Sequence, residues 1–165
     1  MKIDALQRIL TFVALLLIQV LVLNSVQLFG CATPLLYIYF VIIFPRSYPR
    51  WALLLWGFVL GMCNDMFANT PGVAAASLTL AAFLQPRLLE ICLPRDAEKE
   101  LKVSTGTLGK GNFALLSLML TAIFCLTFFT LETFQFANIS YWLACVCGST
   151  VFTWVIIQVL EKLRS

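Results

Sequence analysis

The sequence contains no histidine, and only 12% of its 165 residues are charged. Without histidine the chain lacks the commonest general base and the commonest neutral metal ligand. Nucleophilic triads and zinc or haem sites therefore have almost nothing to be built from. The scarcity of charge excludes an ordinary soluble domain, since apolar residues make up 61% of the chain and its mean hydropathy is +0.95. Acidic side chains are rarer still inside the apolar stretches, where Asp65 stands alone. An intramembrane aspartyl protease needs two carboxylates sharing a site, and proton-coupled carriers usually show several buried ionisable groups. Neither catalysis nor a cofactor is expected.

A further absence has a direction. The turns around 27–33, 66–71 and 132–138 carry no Lys or Arg. All eleven basic residues fall on the other side of a six-span weave: Lys2 and Arg8, Arg46 and Arg50, Arg87 through Lys110, and Lys162 with Arg164. Loops that stay in the cytoplasm retain Lys and Arg, so both termini are expected there. The expected spans are about 6–29, 33–46, 51–66, 72–92, 112–131 and 139–160, with a polar cytoplasmic loop at 93–111. The fold class is an all-α polytopic membrane protein, a compact bundle of six transmembrane helices in one domain. The apolar run after Ile9 outlasts the ~7–15 residues of a cleaved signal.

What is present is a handful of polar or small residues in apolar surroundings. Gln19 falls near the middle of the first span, where an amide seeks a partner inside the bundle. The second span is bracketed by Pro34 and Pro45 and is too short for a ~30 Å crossing, so it is thinned, partly re-entrant or extended beyond its prolines. In the third, Gly57, Gly61 and Asp65 recur every four residues and form one stripe on a helix. The glycines admit a close neighbour. Asp65 lies about 21 Å of helical rise from Trp51, still near the membrane edge. It is either a functional ionisable group or a helix-end cap for the turn into the next span.

Pro71-Gly72 supplies that turn. The fourth span opens with eight small residues among the eleven from Gly72 to Ala82, which suits the buried centre of the bundle against the Gly57/Gly61 stripe. Gln85-Pro86-Arg87 closes it on the charged side. Gly106 to Gly111 lacks the spacing and the hydroxyl residue of a phosphate loop. Ala144-x-x-x-Gly148, followed by Ser149 and Thr150, gives the sixth span a close-packing face, and Tyr141 and Trp142 suit the outer interface. Cys145 and Cys147 point to nearly opposite sides of a helix, so they are expected as apolar thiols rather than ligands.

Several stretches resemble the bacterial rod shape-determining MreD family: Gln19-Val20-Leu21, Ala32 to Tyr37, and above all the run from Gly57 to Gly72. The proline-bracketed second span departs from that family's pattern. The resemblance implies a non-enzymatic subunit of the cell-elongation complex. It would work with an MreC-like single-span protein and, through it, with MreB, RodA and a penicillin-binding transpeptidase. It also implies a fold similar to the S components of energy-coupling-factor transporters. The helix-packing or partner-binding candidates are Gln19, Gly57, Gly61, Asp65, Pro71, Gly72 and Arg87. The rival reading is a vitamin-type S component itself. It would need an Ala-x-x-x-Ala contact in the first span, which the sequence does not contain, and polar groups converging near Asp65, Asn69 and Gln27.

Overall fold

The computed structural model describes residues 2–22, 34–45, 47–92, 103, 105–133 and 139–164. Among these the chain is all helical: α1 Lys2–Leu21, α2 Ile38–Ile42, α3 Arg50–Ala68, α4 Val73–Cys92, α5 Thr105–Leu108, α6 Lys110–Thr133 and α7 Ile139–Arg164. The distribution of polarity identifies the solvent. Gln19, Asn64, Asp65, Ser77, Gln85, Ser117, Thr121, Ser149, Thr153 and Glu161 are buried, while Leu10, Leu55, Met66, Phe67, Phe83 and Leu126 face outward. Large apolar side chains covering the exterior while polar ones are turned inward are costly in water and favourable in hydrocarbon.

Three of the described helices, α3, α6 and Ile139–Leu163 of α7, are long and apolar enough to cross a membrane. The chain is thus a helical membrane protein, but not plainly a six-span one. α1 contributes a shorter apolar stretch, Leu6–Leu21, and the rest of the expected first span lies outside the described residues. α4 has the length, but Gln85, Arg87 and Glu90 dilute its apolar run. α5 lies at the end of the expected 93–111 loop, most of which is also outside the described residues.

The second span is not a full helical crossing, and the expected bounds of 33–46 shrink to a short helix. Only Ile38–Ile42 is helical, five residues against the roughly 20 a crossing requires. The segment from Pro34 to Phe44 is nevertheless buried almost throughout. Non-helical backbone survives at such depth only when protein groups replace the missing helical bonds, and here side chains do so. Gln19 Nε2 donates to the Pro34 carbonyl at 2.9 Å, and Gln19 Oε1 accepts from the Leu36 N–H at 2.9 Å. The Leu35 N–H donates to Thr153 Oγ1 at 3.1 Å, and Gln85 Nε2 donates to the Phe44 carbonyl at 3.1 Å. The prolines bracket a plug of main chain, not a span.

α4 is the centre, packed on α2, α3 and α6, as its small residues predict. α7 packs on α6, tied by Trp154 Nε1 to the Ala114 carbonyl at 3.0 Å and by Gln158 Nε2 to Ser117 Oγ at 2.9 Å. Its buried row is Cys145, Ser149, Thr153, Ile157 and Glu161; of the expected face, Ser149 and Thr150 are buried, Gly148 is half-buried and Ala144 is exposed. The buried row and the expected face both begin with small residues, so residue size alone does not select between them.

Candidate functional site

The Gly57/Gly61/Asp65 stripe and the Pro71-Gly72 turn come together as one device joining α3 to α4. α3 ends at Asn69, which takes the left-handed conformation (φ 57°) and donates its N–H to the Asp65 carbonyl. Gly72, at φ +83°, then lets the chain reverse into α4, a conformation that costs a residue with a Cβ. The first N–H groups of a helix have no partner within it and would be orphaned at this depth. Asp65 supplies the acceptors. Its Oδ1 accepts from the Ala74 N–H at 2.9 Å and from Thr70 Oγ1 at 3.0 Å, and its Oδ2 accepts from the Ala75 N–H at 2.9 Å. The carboxylate is 5% exposed. It sits where the partial positive charge at the start of α4 favours an anion.

The two helices meet without intervening side chains. A Cβ on Gly61 would lie 2.4 Å from the Ala75 Cα and 2.6 Å from its nitrogen. Any larger residue must therefore push the backbones apart at the very residue whose N–H Asp65 holds. One turn earlier, a Cβ on Gly57 would lie 3.3 Å from the Ala82 Cβ, a tight contact rather than a clash. Of the two readings of Asp65, the geometry is that of the cap: both oxygens are taken up as acceptors for the next helix.

The other candidates lie elsewhere. Gln19, 1% exposed, faces the bundle as expected, and it holds main chain at 34–36 rather than another helix's side chain. Arg87 sits towards the far end of the hairpin, with its guanidinium 5.2 Å from the centre of the Phe83 ring.

Three features escaped the sequence reading. Glu161, fully buried near the end of α7, accepts a hydrogen bond from the Tyr39 hydroxyl at 2.7 Å. Beside Lys162 and Arg164 it reads as a solvated helix-end residue, and only a partner 122 positions away reveals it. Thr153 and Gln85, which hold the plug, carried no signal beyond being polar in an apolar run. At the same end, Arg8 lies over Tyr48 (4.4 Å) and Phe44 (5.6 Å), and Trp56 Nε1 donates to the Tyr48 hydroxyl at 3.2 Å.

Among the described residues no cluster of three or more His, Cys, Asp or Glu is placed to hold a metal ion. Compared with protein-family models, with curated proteins and with solved structures, the chain matches none.

Proposed function

We propose that this chain is a non-enzymatic scaffold of the bacterial cytoplasmic membrane, an MreD-type subunit of the cell-elongation complex with both termini in the cytoplasm. In this reading it holds an MreC-like single-span protein and, through it, MreB, RodA and a penicillin-binding transpeptidase. The observation that carries the reading is how the 57–72 stretch is used. Asp65, the carboxylate the sequence offers to a carrier or a catalyst, spends both oxygens on the first turn of α4. The glycines beside it fix two backbones together. A segment so committed shapes a bundle and leaves its outer apolar faces for partners and lipid.

Affinity copurification of the full chain from detergent-solubilised membranes tests this. Recovery of an MreC-like single-span protein is the expected result, and recovery of a pair of ATPases overturns it. One observation favours the second reading, a small-ligand S component. The Tyr37 and Thr121 hydroxyls and the Asn64 side-chain oxygen are buried with no hydrogen-bond partner among the described residues. Buried polar atoms ordinarily have one, and a polar solute or ordered water would supply it. Solute uptake that depends on Tyr37 and Asn64 would carry that reading past the first.

A further inference from the structure

At the end of the α3–α4 hairpin away from Asp65, a cleft of about 80 Å³ is lined by Arg50, Leu54, Ala82, Phe83, Pro86 and Arg87. Its chemistry is divided. Two arginines line it, Arg50 as the first residue of α3 and Arg87 near the end of α4. Leu54, Ala82 and Phe83 supply apolar walls. Pro86 has no N–H to give the Ala82 carbonyl one turn back, which removes one hydrogen bond from α4 beside the cleft. Arg50 has no ion-pair partner among the described residues, and Arg87 is stacked on Phe83.

The surroundings place this cleft at a lipid interface. Trp51 beside Arg50 is 72% exposed, as suits a ring at headgroup depth. Leu55, Phe58 and Phe83 face outward alongside it. A guanidinium presents a rigid fork of donors that matches a phosphate, and two of them over apolar walls match a phosphate carrying acyl chains. We propose that this cleft holds the headgroup phosphate of an anionic phospholipid, with Arg50 and Arg87 on the phosphate and an acyl chain along Leu54 and Phe83. The proposal rests on the bundle lying in a bilayer and not on the scaffold role.

The test is native mass spectrometry of the full chain in dodecyl maltoside, titrated with phosphatidylglycerol, phosphatidylcholine and inorganic phosphate separately, and with phosphatidylglycerol in competition with inorganic phosphate. Phosphatidylglycerol is expected to bind about tenfold more tightly than phosphatidylcholine, which corresponds to ~1.4 kcal/mol. Arg50→Gln with Arg87→Gln should weaken phosphatidylglycerol by about tenfold. Lys110→Gln with Lys162→Gln, which removes the same charge from exposed sites outside the cleft, should change it by less than about twofold. Leu54→Trp fills the cleft without altering charge and should weaken the lipid while leaving inorganic phosphate unaffected.

Equal losses in the two double variants would mean diffuse attraction and overturn the site. Displacement of the lipid by equimolar inorganic phosphate would assign the cleft to a free anion and overturn the lipid. Should the glutamine pair not purify as a folded species, Arg50→Lys with Arg87→Lys replaces it. That pair retains charge and loses the fork, so undiminished binding there refutes the grip.

Discussion

Replacing Asp65 by asparagine changes one oxygen for an amino group, nearly without change of shape, and so isolates what the carboxylate does. The native side chain accepts three hydrogen bonds, two of them from the buried N–H groups of Ala74 and Ala75. An amide has one acceptor oxygen, and its NH₂ would face the second N–H donor to donor. One orphaned buried donor costs about 1–3 kcal/mol. The lost attraction between a charge and the start of α4 adds ~0.3–1 kcal/mol, up to ~2 where partly buried. Asp65→Asn should therefore destabilise the bundle by about 2–4 kcal/mol. Asp65→Ala orphans both donors and should cost about 3–6 kcal/mol. The assay is reversible unfolding in mixed micelles by increasing dodecyl sulfate, followed by tryptophan fluorescence. If Asp65→Asn unfolds at the same midpoint as the parent, the carboxylate is not what holds α4, and the cap assignment fails.

The remaining expectations use the same assay unless stated. Gly61→Ala should destabilise by about 3 kcal/mol or more, the upper end of overpacking, because the obstacle is backbone. Gly57→Ala, whose Cβ would meet only a neighbouring methyl and carbonyl, should cost under about half of that; equal effects would refute the close approach at Gly61. Thr153→Val keeps the side-chain shape and orphans the Leu35 N–H, for a loss of about 1–3 kcal/mol, and no loss would detach the plug from α7. In mild detergent a lipid-soluble maleimide should label exposed Cys147 and spare buried Cys145, and mass spectrometry showing the reverse would rotate α7.

The α3–α4 hairpin was legible because everything that builds it is local. Gly57, Gly61 and Asp65 share one helix face, and Pro71-Gly72 announces the reversal within a few residues. Even so, the sequence left Asp65 suspended between ionisable site and cap, since depth along a helix does not reveal what faces it. The plug at 34–45 was legible only as a misfit, an apolar run too short for its task between two prolines. What fills its backbone bonds comes from Gln19, Gln85 and Thr153, distant in the chain and unmarked by any spacing rule. The same holds for Tyr39 and Glu161. Hydropathy records that a residue avoids water, and cannot say whether lipid or protein replaces it. That is why the segment around five buried helical residues counts among the expected spans although it is too short to cross.

A plug of main chain imposes a schedule on biogenesis. The Leu35 amide finds its acceptor on a residue synthesised 118 positions later. At about 5–20 residues per second that is a wait of roughly 6–24 s after Leu35 leaves the ribosome. Throughout that interval the Leu35 amide needs a temporary host, whether water, the insertion channel or a chaperone. α7 closes this part of the bundle, so a nascent chain stalled before Thr153 would leave the Leu35 amide without its acceptor.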